Sequence, residues 1–149
     1  MPRKVVDIRG VRVSRGNVAR RRVSPFSMST LMTSYRTAVA FRPDRFNPVP
    51  VAQNERARVL LVCLEPDQFI PVHRPGVDLT IVVLEGEGTL VVGDREEAIG
   101  PGAIAFAPAG VVRGLKAATR LVVLNVVTPP PTDADHAEVA AGLRRGGWR

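Results

Sequence analysis

The chain has 149 residues, 45% hydrophobic and 23% charged, which is enough for one domain with a hydrophobic core and too few for two ordinary domains. One Cys and two His exclude an intramolecular disulfide, a Cys-based zinc cluster and any single-chain site that needs three His. No apolar run is long enough to span a bilayer and no secretory signal is visible, so we expect a cytoplasmic protein without a membrane partner.

The net charge of +7 is concentrated in the N-terminal part of the chain. Residues 1–27 hold eight Lys or Arg and one Asp, whereas the rest carries 13 basic and 13 acidic side chains. Such a segment can bind nucleic acid or another polyanion, or it can be a solvated extension or a transit peptide. It is absent from the mature protein if Met28 or Met32 is the true start. We expect residues 1–37 to form a basic, flexible N-terminal extension.

From residue 38 the pattern is typical of a β-sandwich or barrel, because short β-branched runs alternate with Gly, Pro and Asp. Gly93-Asp94 predicts a two-residue hairpin, and Pro101-Gly102 predicts a second turn. Nine strands are predicted: Ala38–Phe41, Arg58–Glu65, Phe69–His73, Leu79–Leu84, Thr89–Val92, Glu96–Ile99, Ala103–Ala107, Val111–Lys116 and Leu121–Val127.

The run Pro129-Pro130-Pro131 ends the strands, since Pro cannot donate a hydrogen bond to a sheet. After it, Thr132 or Asp133 is placed to cap a short C-terminal helix over Ala134–Arg145. We therefore divide the rest of the chain into a barrel and a C-terminal helix with its tail, residues 38–131 and 132–149.

The stretch from Phe69 to Pro108 resembles the cupins, a family of small double-stranded β-helix proteins. The first cupin motif contains His-x-His, Glu and Gly at fixed spacing; His73 holds its first His position, and Val83–Gly88 gives a typical ending. The second motif contains Gly, Pro-x-Gly, His and Asn; Gly102 and Pro108–Gly110 fall on its frame. The resemblance implies an all-β cupin jelly-roll barrel, here with a basic N-terminal arm and a short C-terminal helix.

The resemblance also implies a metal held by three His and one Glu, and here the sequence departs from the pattern. The four ligand positions are occupied by His73, Pro75, Leu79 and Arg113. Pro and Leu side chains cannot ligate, and Arg stays protonated and repels a cation. Asp78 lies one residue from the Glu position and would join His73 only through a strand bulge. We therefore expect no cofactor, with a divalent Fe, Mn, Ni or Zn ion as the alternative.

In the cupin register, strand alternation turns eight side chains toward the barrel interior, where we expect a ligand-binding cavity: His73, Leu79, Ile81, Val83, Ile104, Phe106, Val111 and Arg113. A buried Arg113 needs a partner. That partner is a ligand carboxylate or phosphate with His73 as second donor, or else Asp78 or Glu85, or solvent at the barrel mouth.

Three functions follow. The leading one is a cupin-like barrel that binds a small organic anion without a catalytic metal, as a sensor, carrier or accessory protein. The second is a metal-dependent cupin enzyme of the dioxygenase, decarboxylase or isomerase type with an atypical site. The third is a dimeric interaction module whose basic arm, residues 1–27, binds a polyanion. No catalytic residue can be named, a non-catalytic role is favoured, and the resemblance implies a homodimer.

Overall fold

The computed structural model describes residues 30–149, and the basic segment 1–27 lies outside the described residues. Strands dominate, and one longer helix follows them. The elements in chain order are α1 (Tyr35–Ala38), β1 (Asn47–Gln53), β2 (Arg58–Leu64), β3 (Phe69–His73), β4 (Asp78–Glu85), β5 (Gly88–Val92), β6 (Arg95–Ile99), β7 (Ile104–Ala107), β8 (Arg113–Ala117), β9 (Leu121–Thr128) and α2 (Asp133–Arg145).

The strands form two antiparallel sheets that pack face to face. One sheet has the order β1-β2-β9-β4-β7 and the other has the order β3-β8-β5-β6. This topology confirms the all-β jelly-roll prediction, including the short helix that follows the last strand. Burial of each large aliphatic side chain stabilises the fold by about 1.5–3 kcal/mol. The core between the sheets consists of Phe46, Val62, Leu64, Ile81, Val83, Leu90, Leu115, Ala117, Leu121 and Val123.

Both predicted turns are present. Gly93 and Asp94 join β5 to β6, and Val92 pairs with Arg95 across them. Gly93 has a φ of 63°, which a residue with a side chain rarely adopts and which a two-residue hairpin requires. Gly102 has a φ of 88° in the turn before β7. The glycines thus fix the turn positions that the sequence predicts.

The strand predicted over Ala38–Phe41 is wrong, and β1 takes its place in the sheet. Ala38 ends the short helix α1, and the residues after it continue as a loop. The sequence of β1 contains Pro48 and Pro50, which argue against a strand. Because they are two residues apart at the edge of the sheet, both missing N–H groups fall on the side away from β2. An edge strand tolerates them for that reason.

The segment predicted as a first strand packs on the outer face of the five-stranded sheet instead. Tyr35, Ala38 and Phe41 contact a small second cluster around Leu61 and Cys63. The Tyr35 hydroxyl donates to Glu85 Oε1 at 3.0 Å and fixes this segment across the sheet. The apolar side chains of this segment therefore pack against a face of the sheet, and the segment does not join the sheet as a strand.

The C-terminal helix begins and ends close to the predicted residues. Thr132 precedes it, and Asp135 Oδ2 accepts hydrogen bonds from the Thr132 N–H at 2.8 Å and from its hydroxyl at 3.0 Å. Gly146, with a φ of 73°, ends the helix. Within residues 30–149, no helix is long and apolar enough to cross a membrane.

Candidate functional site

A cavity of about 340 Å³ lies between the two sheets at the end that α2 covers. This volume falls within the range of small-molecule sites. Its wall is mainly apolar, with aliphatic side chains from both sheets and from α2, among them Leu60, Ile70, Leu79, Ile81, Val127, Val139 and Leu143. The polar groups in the wall come from Arg45, His73, Arg113, Asn125, Asp135 and His136.

Arg113 is the strongest polar feature of the cavity, because it is only 3% exposed at the start of β8. Its Nη2 donates to the carbonyl oxygens of Val77 at 2.8 Å and Pro108 at 2.9 Å, and Nε donates to Val111 O at 3.3 Å. These bonds fix the guanidinium plane. Burial lowers the pKa of Arg113, and the negative charges of Asp78 and Asp135 oppose that shift.

The positive charge of Arg113 has no ion-pair partner within residues 30–149, so the expected bond to Asp78 or Glu85 is absent there. Its three bonds all go to neutral carbonyls, and Nη1 makes no hydrogen bond to the described residues. The guanidinium does not turn out to solvent either. It is therefore a buried, oriented cation with donors left over.

His73 lies directly across the strand pair from Arg113. Its Nδ1 is 2.7 Å from the carbonyl oxygen of Pro71, and a carbonyl only accepts, so Nδ1 carries the proton. Burial lowers the pKa of His73, which favours the neutral ring with its lone pair on Nε2. With the proton on Nδ1, the neutral ring presents Nε2 as an acceptor, so the expected role of His73 as a second donor to the ligand stays a prediction that requires the protonated ring.

Asn125 is a site residue that our sequence analysis missed. It lies in β9, is 7% exposed, and lines the cavity from the sheet opposite Arg113. Among residues 30–149, its Oδ1 is the one buried side-chain polar atom without a hydrogen-bond partner. The sequence did contain a signal, since Asn125 is the one strongly polar side chain inside the apolar strand Leu121–Thr128.

The helix α2 forms one wall of the cavity and is tied to the loop after β3. Glu138 Oε2 accepts from the Arg74 backbone N–H at 2.9 Å, and Asp135 Oδ1 accepts from the Gly76 N–H at 3.0 Å. The hydrogen bonds from Thr132 and Gly76 lower the pKa of Asp135. The side chains that α2 adds to the cavity are Asp135, His136, Val139, Ala140 and Leu143.

The structure brings half of the predicted site residues together. His73, Leu79, Ile81 and Arg113 line the cavity. Val83 is buried in the core and borders a second cleft of about 360 Å³ between β6 and β7. Val111 lies just before β8, two residues ahead of the start of that strand, and does not line the cavity.

The prediction that Ile104 and Phe106 face the interior is wrong. They are 75% and 57% exposed. Ala105 pairs with Ile81 and Ala107 pairs with Leu79, and those partners point into the cavity. Since side chains alternate along a strand, the larger residues of β7 take the more exposed face, where they line the second cleft.

The cavity residues do not fit the metal site that the resemblance implies. Leu79 lines the cavity, whereas Asp78 Oδ1 accepts the Ala109 N–H at 2.8 Å in the loop after β7. No bulge near Asp78 redirects it, since the register of β4 shifts only near its far end. Nowhere in residues 30–149 do three His, Cys, Asp or Glu side chains come close enough to hold a metal ion. A buried guanidinium beside His73 further disfavours a cation.

Comparisons with known proteins agree with this architecture. Residues 60–127 match the cupin domain family. The crystal structure of TT1209 from Thermus thermophilus is 34% identical, with a TM-score of 0.63 over 66% of this chain and 96% of that one. An RmlC-like cupin protein from Desulfovibrio desulfuricans is also 34% identical, with a TM-score of 0.59 over 66% of this chain and 98% of that one. Comparison with curated proteins found no match.

Proposed function

Since this chain belongs to the cupin superfamily, we propose that its barrel binds a small organic anion without a catalytic metal, in a sensing, carrier or accessory role. The observation that carries the proposal is Arg113, a buried cation in the cavity wall whose hydrogen bonds to residues 30–149 all go to neutral carbonyls. A buried charge without a direct ion pair is costly, and the carboxylates of Asp78 and Asp135 act on Arg113 only from a distance. An anionic ligand on Nη1 would supply the direct ion pair.

The charge around the cavity also favours an anion over a cation. Among residues 30–149, Arg45 and Arg113 both contribute to the wall, against the single carboxylate of Asp135. That carboxylate already accepts bonds from Gly76 and Thr132. His73 adds no charge in its neutral form. An anion therefore meets two positive groups and one negative group whose oxygens are already engaged.

The remaining wall selects the body of the ligand. Aliphatic side chains from both sheets and α2 surround the cavity, and its volume of about 340 Å³ suits a molecule the size of an aromatic or branched aliphatic acid. A carboxylate with an apolar body matches this combination, because the guanidinium holds the acid group and the body displaces water from aliphatic surface. An inorganic anion would leave most of the wall uncovered.

The test is calorimetric titration of the full chain with benzoate, using benzamide as the neutral analogue. We expect benzoate to bind saturably and benzamide to bind at least tenfold more weakly, because a charge-assisted hydrogen bond contributes about 1.5–3 kcal/mol. Equal binding of the two compounds, or none by either, would overturn the proposal.

Variants assign the binding to the cavity. Arg113→Gln removes the buried charge, and we expect benzoate affinity to fall about 10- to 100-fold. Arg113→Lys keeps the charge but loses the fork that holds three carbonyls, so its affinity should be intermediate. The matched control is Arg56→Gln, an exposed charge in the turn between β1 and β2, which should bind like the wild type. Urea unfolding of each variant separates lost binding from lost folding.

The homodimer is proposed on a separate observation. Strand β7 is an edge of the five-stranded sheet, and its exposed side chains include Ile104 and Phe106. An open sheet edge with large apolar residues is a natural surface for a second copy of the chain. A polyanion-binding role of residues 1–27 stays a prediction, and so does the cytoplasmic location.

A further inference from the structure

We infer that Asn125 recognises a second polar group of the ligand, so that the ligand is an organic acid carrying a hydroxyl or amide on the far side of an apolar body. This inference rests on the proposed function, because it assumes that the acid group binds Arg113. Asn125 would then be a specificity-determining residue rather than a catalytic one.

The amide of Asn125 is polar, buried and without a hydrogen-bond partner among residues 30–149. Neither Oδ1 nor Nδ2 bonds to any of residues 30–149, although the side chain is only 7% exposed. Buried polar groups in proteins are nearly always hydrogen-bonded, so an exception in a cavity wall points to an external partner. An amide can both donate and accept, which suits a hydroxyl or another amide.

No neighbouring side chain among residues 30–149 gives the Asn125 amide a hydrogen-bond partner. Asn125 pairs with Leu60 on one side and with Ile81 on the other, so its neighbours within the sheet are aliphatic. Along β9, the residues with the same orientation include Val123 and Val127. Within residues 30–149 the amide is therefore isolated in an apolar wall, which leaves a molecule in the cavity as its partner.

The position of Asn125 relative to the acid-binding end also matters. Arg113 and His73 belong to the four-stranded sheet, whereas Asn125 belongs to the five-stranded sheet that faces it. All three line the same cavity. Facing sheets pack about 10 Å apart, so one small molecule can touch both walls. Its acid group and its second polar group must then lie at opposite ends, with the apolar part between them.

The experiment compares 4-hydroxybenzoate with 4-methylbenzoate, which differ only in a polar or apolar group of similar size opposite the carboxylate. Both are titrated into the full-length protein, with unsubstituted benzoate as the reference. We expect the wild type to bind the hydroxyl compound about 3- to 10-fold more tightly than the methyl compound, the worth of one net hydrogen bond. Asn125→Leu should reverse this preference while still binding benzoate, and Asn125→Ala should abolish it.

The outcomes distinguish the two proposals. If benzoate binds but the wild type shows no preference for the hydroxyl, or if Asn125→Leu keeps that preference, the role of Asn125 is refuted and the anion site stands. If none of the three acids binds the wild type, the proposed function fails and this inference fails with it. Arg113→Gln is the complementary control: it should weaken all three acids and leave the ratio of hydroxyl to methyl affinity unchanged.

Discussion

Replacing Asn125 by Leu should make the ligand-free protein more stable. The substitution keeps the approximate size of the side chain and removes a buried amide whose Oδ1 has no partner among residues 30–149. Most substitutions of buried residues destabilise, so an increase is a sharp expectation. This increase in stability is expected only if the amide binds a ligand and contributes nothing to the stability of the fold.

The magnitude follows from the surroundings of the amide. An unpartnered buried polar group costs about 1–3 kcal/mol, and a leucine side chain in its place would contact the aliphatic wall beside Leu60 and Ile81. We expect the free energy of unfolding to rise by about 1–2 kcal/mol, allowing for imperfect fit of the branched side chain. For a chain of this length, that corresponds to a rise in Tm of roughly 3–6 °C.

The assay is urea unfolding monitored by circular dichroism, supported by thermal unfolding without ligand. The matched control is Thr80→Val on β4, whose hydroxyl lies on the outer face and whose side chain is partly exposed. Solvent already satisfies that group, so its loss should change stability by less than about 0.5 kcal/mol. A destabilised Asn125→Leu protein beside an unchanged control would show that the amide holds the fold together, and the reasoning would be refuted.

Three further predictions concern the helix, the imidazole and the sheet edge. Gly142→Ala should lower the free energy of unfolding by about 1–3 kcal/mol in urea titrations, because a Cβ at that position overlaps the Pro71 ring. The control is Gly76→Ala, which should leave the free energy of unfolding unchanged, because there is space for a Cβ at that position. The pKa of His73 measured by NMR should lie below 6.5 because the ring is buried. The free energy of unfolding should therefore fall as the pH drops from 6.5 through that pKa. A measured pKa at or above 6.5 would contradict the burial of the ring. Phe106→Lys should convert a dimer to a monomer in light scattering, and a wild-type monomer would remove the homodimer.

Much of the framework could be predicted from the sequence because it depends on local chemistry. Gly93 and Gly102 adopt backbone angles that favour glycine, so the turns are marked by residue type. The C-terminal helix is marked by Thr132 and by Gly146 in the same way. Signals of this kind need no knowledge of what the segment packs against.

The missed features depend on tertiary context. Alternate residues of β7 face opposite sides of the sheet, so the sequence allows two assignments of its inner face. Hydrophobicity favours the assignment that buries Ile104 and Phe106, whereas pairing with β4 turns Ala105 and Ala107 inward. The strand β1 contains prolines that are acceptable only at an edge, and edge position is a property of the whole sheet.

The candidate site was predicted only in part, because some of its residues reach the cavity through tertiary packing. His73 and Arg113 lie at ligand positions of the cupin motifs that the sequence resembles, and the structure brings both to the cavity. The contribution of α2 depends on how the helix docks, which no spacing encodes. Asn125 stood out in its strand as a polar residue, but only the unpartnered Oδ1 shows that it matters.

The metal content of the protein can be tested separately from binding. Because no three His, Cys, Asp or Glu side chains among residues 30–149 come close enough together to hold a metal ion, protein purified without chelators should hold well under one equivalent of Fe, Mn, Ni or Zn. Treatment with a chelator should leave benzoate affinity unchanged. A stoichiometric metal that disappears in His73→Ala would favour the alternative of a metal-dependent enzyme with an atypical site.

The central claim is that Arg113 binds the acid group of a ligand inside the barrel. A crystal structure of the full chain grown with saturating benzoate tests it most directly. We expect the carboxylate at hydrogen-bond distance from Arg113 Nη1 and the ring against the aliphatic wall near Ile81 and Leu143. A metal ion on His73, or a cavity without benzoate in a crystal saturated with it, would contradict the account.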